Sequence, residues 1–430
     1  MEARILVVLA LVALIASPLA LEAVANTVDA NVSKLIDRSE RPYMLSSTSQ
    51  RFIVLGDQAR LGELRGLVER LNGRVLGEFK LAGGFVVEAS PSAAEVFRAR
   101  GFQVYPDRVV QLFDPIILPV KDGIEAMVYA GTPTIGADRL HRVGFNGSGV
   151  RVAVIDAGIE DRHPWLLRGD ESVVGWEVDA TGTGVVDYCG KRIGYYWGGI
   201  HGTHIAGIIA SQNPDAPGVA PGVTLYDIIV VPEMIGGLYT WCTSTTASYV
   251  MIGVELALLG PDGEPDTGDE ADVLSLSLGY VLPPEVQYAI AAGILRDPLL
   301  ELLERAVEKG KVVVVAAGNM YGLNLVNALC LANGVICVGA SSHMGTIDPS
   351  DDMLAWFSSK GPGPLGFLLP HVVAPGVYIY SSIPTDLAQL WGLPEPAYYL
   401  SGTSMSTPFV SGSAALLVGY LRAKGVEASP

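Results

Sequence analysis

Residues 150–158 read VRVAVIDAG and predict the buried strand on which the fold depends. A run of β-branched residues is typical of a strand covered on both faces, as in a parallel sheet. Asp156 stands at its carboxyl end, where Ala157-Gly158 turns the chain. Catalytic groups of doubly wound sheets collect at such strand ends. Asp156 is therefore a candidate functional residue, although an acidic residue after a strand is also a common turn former or helix cap.

Residues 312–319, VVVVAAGN, repeat this pattern farther along the chain. They predict a second buried strand that ends in Gly318-Asn319. Gly318 allows another backbone to approach closely, and Asn319 can present an amide N–H to a developing oxyanion. The alternative is an ordinary turn asparagine.

Two histidines lie in residues 201–207, HGTHIAG, whose small residues predict a closely packed helix. We expect His201 at the start of this helix, at an accessible edge after a Gly-Gly-Ile loop. His204 fits a buried structural imidazole better. The two histidines are three residues apart with no glutamate between them, so the spacing of a metal-binding helix is absent.

Residues 402–408, GTSMSTP, precede an apolar stretch, Phe409–Leu417, that predicts a helix with Pro408 in its first turn. A serine at a helix start is ordinarily a cap. The same position sets the Ser404 hydroxyl beside backbone N–H groups that favour negative charge. Acyl transfer needs a nucleophile, a base, a group that orients the base, and oxyanion donors. Ser404, His201, Asp156 and Asn319 supply all four.

These strings resemble the subtilisin-like serine proteases, in that family's order Asp, His, Asn, Ser. The resemblance covers about 136–424 and rests on VAVIDAGI, HGTHIAG, SLSLG, VVVAAGN and SGTSMSTPFVSG. It implies a doubly wound, mostly parallel α/β sheet with helices on both faces, and catalysis without a cofactor. Asp156 would orient His201, the general base; Ser404 would be the nucleophile; Asn319 and the Ser404 N–H would form the oxyanion hole. The substrate-binding residues it implies are Ser277, Leu278, Gly279, Ala316, Ala317 and Gly318.

Some positions depart from the family pattern. Trp165 replaces an aspartate that binds calcium in many members, and the loop from Gln212 to Pro217 is short, so the usual calcium site is expected to be absent. Tyr280 stands where glycine is common beside the substrate pocket. Only 26 residues follow Ser404, where family members usually continue, so we expect a truncated product, a fragment or a compact variant. An acidic stretch could bind calcium instead, or form a solvated loop: Asp262, Glu264, Asp266, Asp269, Glu270 and Asp272.

Residues 50–114 predict a small module in the order β-α-β-β-α-β, a ferredoxin-like pattern. Extended segments at Phe102–Tyr105 and Val109–Phe113 would complete it. The module resembles the inhibitory propeptide of the same family, which implies an intramolecular inhibitor. The sequence then divides into residues 26–49 as a linker, 115–133 as a processing segment cut between about 114 and 131, and 134–430 as the catalytic domain.

The N-terminus predicts export. An apolar run from Ile5 to Leu21 is followed by Ala23-Val24-Ala25, the small-x-small pattern of signal-peptide cleavage. We expect residues 1–25 to be removed and the protein to be secreted; an uncleaved N-terminal anchor is the alternative. Disulfides are then expected. Cys330 with Cys337 is a local candidate, which leaves Cys189 with Cys242; four free thiols are the alternative.

Composition limits the partners. The chain of 430 residues is 50% hydrophobic and 17% charged, which excludes a disordered polypeptide. Its net charge is −17, which disfavours nucleic acid and anionic membranes. Residues 26–114 carry 12 basic and 11 acidic groups, whereas residues 115–430 carry 15 and 32. We predict a secreted, self-processing serine endopeptidase acting on proteins and peptides. The alternative is a catalytically silent peptide-binding or surface protein of the same fold.

Overall fold

A computed structural model describes residues 49–113, 116, 131–182, 197–232, 234–235, 238–239, 243–321 and 325–426. The predicted signal segment, the linker except Ser49, most of the predicted processing segment, and Cys189 and Cys242 lie outside these residues.

The helices of this part of the chain are α1 (Leu61–Arg70), α2 (Pro91–Ala99), α3 (Gly131–Thr134), α4 (Ala137–Arg142), α5 (Trp197–Ala210), α6 (Ala247–Leu259), α7 (Pro284–Ala291), α8 (Pro298–Glu308), α9 (Thr385–Leu390) and α10 (Thr403–Ala423).

The strands are β1 (Gln50–Leu55), β2 (Arg74–Phe79), β3 (Gly84–Ala89), β4 (Gln103–Pro106), β5 (Val109–Leu112), β6 (Arg151–Asp156), β7 (Leu167–Arg168), β8 (Glu171–Ser172), β9 (Val174–Asp179), β10 (Thr224–Ile229), β11 (Met234–Ile235), β12 (Leu238–Tyr239), β13 (Ser244–Thr246), β14 (Val273–Leu276), β15 (Leu278–Gly279), β16 (Val312–Ala316), β17 (Ile336–Ser342), β18 (Met353–Leu354), β19 (Val372–Pro375), β20 (Ile379–Ser382) and β21 (Ala397–Leu400).

The central sheet confirms the predicted α/β fold. Its order is β18-β17-β16-β14-β6-β10-β9, with β19 also paired to β17, and β18 is its antiparallel member. Alternate residues of β6 face opposite sides: Val152 and Val154 belong to one core, Ala153 and Ile155 to the other. Helices α5 and α10 cover the first face, and α6 and α8 cover the second. A sheet buried on both faces needs β-branched residues at successive positions, as in VRVAVI.

Two predicted helix starts were wrong. Helix α10 begins at Thr403, so Pro408 is its sixth residue and Ser404 lies inside the first turn. Helix α5 begins at Trp197, and the predicted Gly-Gly-Ile loop is helical. His201 is consequently buried, with 2% of its surface exposed, and does not stand at an accessible edge. Both starts were misplaced because tight packing, which glycine and serine permit, overrides their weak helix propensity.

The N-terminal module has the predicted order β1-α1-β2-β3-α2-β4, in an antiparallel sheet ordered β2-β3-β1-β4. One face of this sheet, with Phe52 and Phe85, packs on α1 and α2. The other face, with Ile53 and Phe79, joins the core beneath α6 and α8. The module therefore shares a hydrophobic core with the rest of the chain.

Strand β5 corrects the predicted end of this module. Val109–Leu112 does not join the module's sheet; it pairs antiparallel with β13 on one side and with β15 on the other. Local sequence could not show this, because both partners are more than 130 residues away. The strand leaves the module and inserts between two strands of the catalytic region.

Two carboxylates fix the module against α6. Glu255 of α6 accepts hydrogen bonds from the backbone N–H groups of Lys80, Leu81 and Ala82, at 2.7, 2.9 and 2.6 Å. In the opposite direction, Asp107 of the module accepts from the N–H of Ser248, at 2.8 Å, in the first turn of α6. Each carboxylate thus satisfies N–H groups that would otherwise be buried without partners.

We predict that the contribution of Glu255 to the stability of the folded chain falls as pH rises. Burial raises the pKa of Glu255, an effect that its three backbone donors oppose. A carboxyl group whose pKa is raised by folding contributes most to stability below its unfolded pKa, and this contribution is lost as pH rises through the folded pKa. Unfolding of the full chain with Ser404→Ala, measured from pH 4 to 8, should show this loss. Glu255→Gln should flatten the pH dependence, whereas the control Glu69→Gln should not; an equal slope in all three proteins would contradict the prediction.

Candidate active site

The Asp156 and His201 side chains are in contact where β6 and α5 meet. His201 Nδ1 lies 2.8 Å from Asp156 Oδ1 and 3.0 Å from Oδ2, and both residues are buried. Asp156 Oδ1 also accepts from the Ala157 N–H at 2.8 Å. A carboxylate held in this way accepts from Nδ1–H and orients the ring. His201 Nε2 has no hydrogen-bond partner within the described residues, so it is the ring atom left to take a proton.

His204 lies one helical turn away and has a different environment. Its Nε2 lies 3.1 Å from the carbonyl oxygens of Ile379 and Tyr398, and the ring is fully buried. Desolvation lowers the pKa of His204 to about 3. A neutral imidazole bonded to two backbone carbonyls matches the structural role expected for it.

Ser404 is the second residue of α10 and is fully buried. Its Oγ lies within hydrogen-bond distance of two carbonyl oxygens that can accept its one proton, that of Phe113 at 3.1 Å and that of Ser277 at 3.2 Å. Its N–H belongs to the first turn of the helix, where backbone donors have no partner within the helix. The Ser404 hydroxyl therefore lies against the Phe113 carbonyl, and the N–H of the same residue is one of the first donors of the helix.

Asn319 follows β16 and is fixed by a residue that sequence reasoning missed. Its Oδ1 accepts from the backbone N–H and the hydroxyl of Thr403, both at 3.0 Å. The Thr403 hydroxyl also accepts from the N–H of Gly318 at 3.1 Å. These hydrogen bonds fix the amide oxygen of Asn319 and therefore also the direction of its Nδ2. This nitrogen lies 3.3 Å from the position that a Cβ on Gly402 would occupy.

Pro408 creates a gap in α10 that Ser277 fills. Proline has no N–H, so the carbonyl of Ser404, four residues earlier, loses its helical donor. The Ser277 hydroxyl donates to that carbonyl at 3.0 Å, and both serines are buried. The signal in the sequence was a proline four residues after the candidate nucleophile, which predicts an orphaned carbonyl there.

The predicted substrate-binding residues lie around β5 and Phe113. Leu278 and Gly279 form β15 and pair with Leu112 and Gln111, while β13 pairs with the other edge of β5. Ala316 ends β16, and Ala317 and Gly318 lead from it to Asn319. Gly318 has φ +98°, and a Cβ there would lie 3.4 Å from the Phe113 ring. The structure thus brings Ser277, Leu278, Gly279 and Gly318 to the cleft that holds residues 109–113, whereas Ala316 and Ala317 lie in the segment that leads to Gly318.

Cys330 and Cys337 form the predicted local disulfide, so the alternative of four free thiols was wrong. Trp165 is buried against Tyr380. The acidic stretch is divided among separate partners: Lys309 binds Asp266, Lys311 lies near Glu270, and Arg422 binds Asp272.

No cluster of three metal-ligating side chains occurs within the described ranges. Across these same ranges, no helix has the length and apolar character needed to cross a membrane.

Comparison with known proteins shows the family to which this chain belongs. The subtilase family model matches residues 147–426, which contain all four candidate catalytic residues. This chain belongs to the subtilase family. It is 29% identical over 388 residues to subtilisin E of Bacillus subtilis, across 87% of this chain and 81% of that protein. It is 33% identical over 294 residues to subtilisin of Bacillus pumilus, across 67% and 83%.

The structure is similar to that of fervidolysin from Fervidobacterium pennivorans, a keratinolytic enzyme related to subtilisin. The TM-score is 0.62 with 21% identity, over 90% of this chain and 57% of that one, which shows a shared fold. The family identifies this subtilase as a serine endopeptidase, a hydrolase that needs no cofactor for catalysis. The alternative of a catalytically silent relative is not supported.

Ser277→Ala should destabilise this subtilase by about 1–3 kcal/mol, because the Ser404 carbonyl would be buried without a donor. Ser382→Ala is the matched control: its buried hydroxyl donates to the Thr203 carbonyl at 2.8 Å, in the interior of α5. That carbonyl keeps its helical donor, so we expect about 1 kcal/mol or less. Urea unfolding in a Ser404→Ala background measures both. Equal losses of unfolding free energy in the two variants would show that Ser277 does not replace the N–H that Pro408 lacks.

Proposed function

We propose that this subtilase is made as a self-processing zymogen and cleaves peptide bonds through Ser404, His201 and Asp156. One observation carries the proposal. The Ser404 hydroxyl lies 3.1 Å from the carbonyl oxygen of Phe113, at the end of a strand held on both edges. An added strand whose next carbonyl reaches the nucleophile is the geometry of a bound peptide substrate.

Ser404 Oγ attacks the carbonyl carbon of Phe113 while His201 Nε2 takes its proton. The imidazolium that forms is stabilised by Asp156, which stays ionised. Negative charge moves to the carbonyl oxygen, where Asn319 Nδ2 and the Ser404 N–H are the proposed donors. The helix start of α10 adds a favourable field for that charge.

Collapse of this intermediate breaks the C–N bond between Phe113 and Asp114, and His201 returns the proton to the leaving amine. Phe113 remains as an ester on Ser404. Water, deprotonated by His201, then attacks the ester, and Ser404 recovers its proton. The proposed bond lies at the predicted end of the 50–114 module, just before the range first expected for cleavage.

The module is proposed to stay in the cleft as an inhibitor after cleavage. Strand β5 keeps its pairing with β13 and β15 whether or not the next bond is intact. The Glu255 and Asp107 contacts hold the module independently of that bond. The same pairing recognises main chain rather than one side chain, so external proteins and peptides are the proposed substrates once the module leaves.

Export is also proposed. It is supported by the apolar run before Ala23-Val24-Ala25 and by the disulfide between Cys330 and Cys337. The proposed mature enzyme would therefore act outside the cytoplasm.

Self-processing should stop in Ser404→Ala. We expect the unmodified chain to yield a mature form that begins at Asp114, and the variant to accumulate as a precursor that begins at Asn26. N-terminal sequencing and intact mass measure both. Ser413→Ala, the same change farther along α10, is the control and should be processed normally. A mature form in Ser404→Ala would contradict self-cleavage, and a start other than Asp114 would contradict the assigned bond.

Asn319→Ala should lower kcat by about 10²–10³ with little change in KM, because the lost donor acts on charge that forms in the transition state. That magnitude comes from the oxyanion-hole asparagine of a subtilisin, a member of the same family. Hydrolysis of a peptide substrate by the mature enzyme measures it. Asn333→Ala, at a surface position bonded to Glu304, is the control. An unchanged kcat would exclude Asn319 from the oxyanion hole.

A further inference from the structure

A buried ion pair joins the N-terminal module to the catalytic region, apart from Asp156, His201 and Ser404. Arg108 Nη1 lies 2.9 Å from Asp297 Oδ2, with side-chain exposures of 14% and 5%. The Tyr280 hydroxyl donates to the same Oδ2 at 2.8 Å. Burial raises the pKa of Tyr280 well above its usual value, so this hydroxyl remains a donor. Arg108 is the cation that neutralises this carboxylate.

Asp297 is held in place without Arg108. It is the N-cap of α8, and its Oδ1 accepts from the N–H groups of Leu299 and Leu300, at 3.0 and 3.4 Å. Its two oxygens therefore have separate roles: Oδ1 caps the helix, while Oδ2 faces Tyr280 and the cation. Because the helix and Tyr280 fix the Asp297 carboxylate, it is already oriented to bind a new cation when the module leaves.

The backbone fixes Arg108 relative to the reacting bond. Its carbonyl accepts from the Ala247 N–H at 2.8 Å, directly before β5 pairs with β13. With Phe113 at the nucleophile, Arg108 is the sixth residue on the amino side of the scissile bond. A substrate strand in the same register would place its own sixth residue beside Asp297.

We propose that Asp297 and Tyr280 form a subsite that selects arginine six residues before the cleaved bond. This rests on the proposed function, because the register is that of the segment bound at Ser404. Release of Arg108 leaves the Asp297 carboxylate, still fixed by the helix and Tyr280, without its cation. A substrate arginine restores the ion pair and can stack over Tyr280, whose ring centre lies 6.0 Å from Arg108 Cζ. A glutamine there supplies no charge.

The test uses fluorogenic peptides of residues 107–116 with the mature enzyme. Replacing Arg108 by Gln in the peptide should lower kcat/KM about tenfold or more, the effect of one charged hydrogen bond in a buried site. In the enzyme variant Asp297→Asn, which retains a good N-cap residue, the two peptides should differ by less than about twofold, because the lost charge was the source of the selection. Asp348→Asn, another N-cap aspartate, is the matched control and should keep the full preference.

A third peptide combines Arg108→Gln with Gln111→Arg and tests whether any positive charge suffices. It should remain a poor substrate, since β5 leaves residue 111 exposed. Equal kcat/KM for all peptides, or an unchanged preference in Asp297→Asn, would overturn the subsite while leaving the protease intact. If no peptide is cut and Ser404 does not react with a fluorophosphonate, the proposed function fails and the subsite with it.

Discussion

The buried start of α10 is the constraint on which the active site depends. A helix start sealed inside a protein must find partners for its first N–H groups. The Asn319 amide oxygen accepts from the N–H of Thr403, and the Ser404 hydroxyl lies against the Phe113 carbonyl. A serine placed there is a nucleophile in a field that favours negative charge. Pro408 orphans the Ser404 carbonyl within the same helix, and Ser277 supplies the missing donor. Structural need and catalytic need are thus met by the same few groups.

The module docks because its second apolar face and the free strand edges of the cleft both need partners. Its sheet has two apolar faces, but its own helices cover only one, so the second face must pack on α6 and α8. That packing brings β5 to the gap between β13 and β15, where two strand edges would otherwise lack partners. Because β5 and the module that docks on α6 belong to the same segment of chain, docking brings the strand to the cleft at a high effective concentration. The proposed inhibition therefore needs no strong interaction at Phe113 itself.

Sequence reasoning predicted the features that local pattern determines. The β-branched run before Asp156 predicted its strand, and the small residues near His201 predicted a tightly packed helix. It placed the start of α10 too late, because proline is usually found in a first turn and nothing local showed that Ser277 would repair an interior position. The partners of β5 were missed because pairing across more than 130 residues leaves no periodic signal. Asp297-Pro298 did carry a signal, that of an N-cap followed by a first-turn proline, but its cation lay in another module.

The acidic residues of the catalytic region contact the N-terminal module in more than one way. The excess of acidic groups lies after residue 114, and two of them, Glu255 and Asp297, contact the docked module in different ways. Glu255 is met by three backbone N–H groups, which any chain of the right shape can offer, so it favours the fold of the module over its sequence. Asp297 is met by a guanidinium, which only certain side chains supply. The first contact can recognise only the folded module, whereas the second remains available to an extended strand. On the proposed function, release of the module leaves the Glu255 site without a ligand and leaves Asp297 as a determinant of substrate choice.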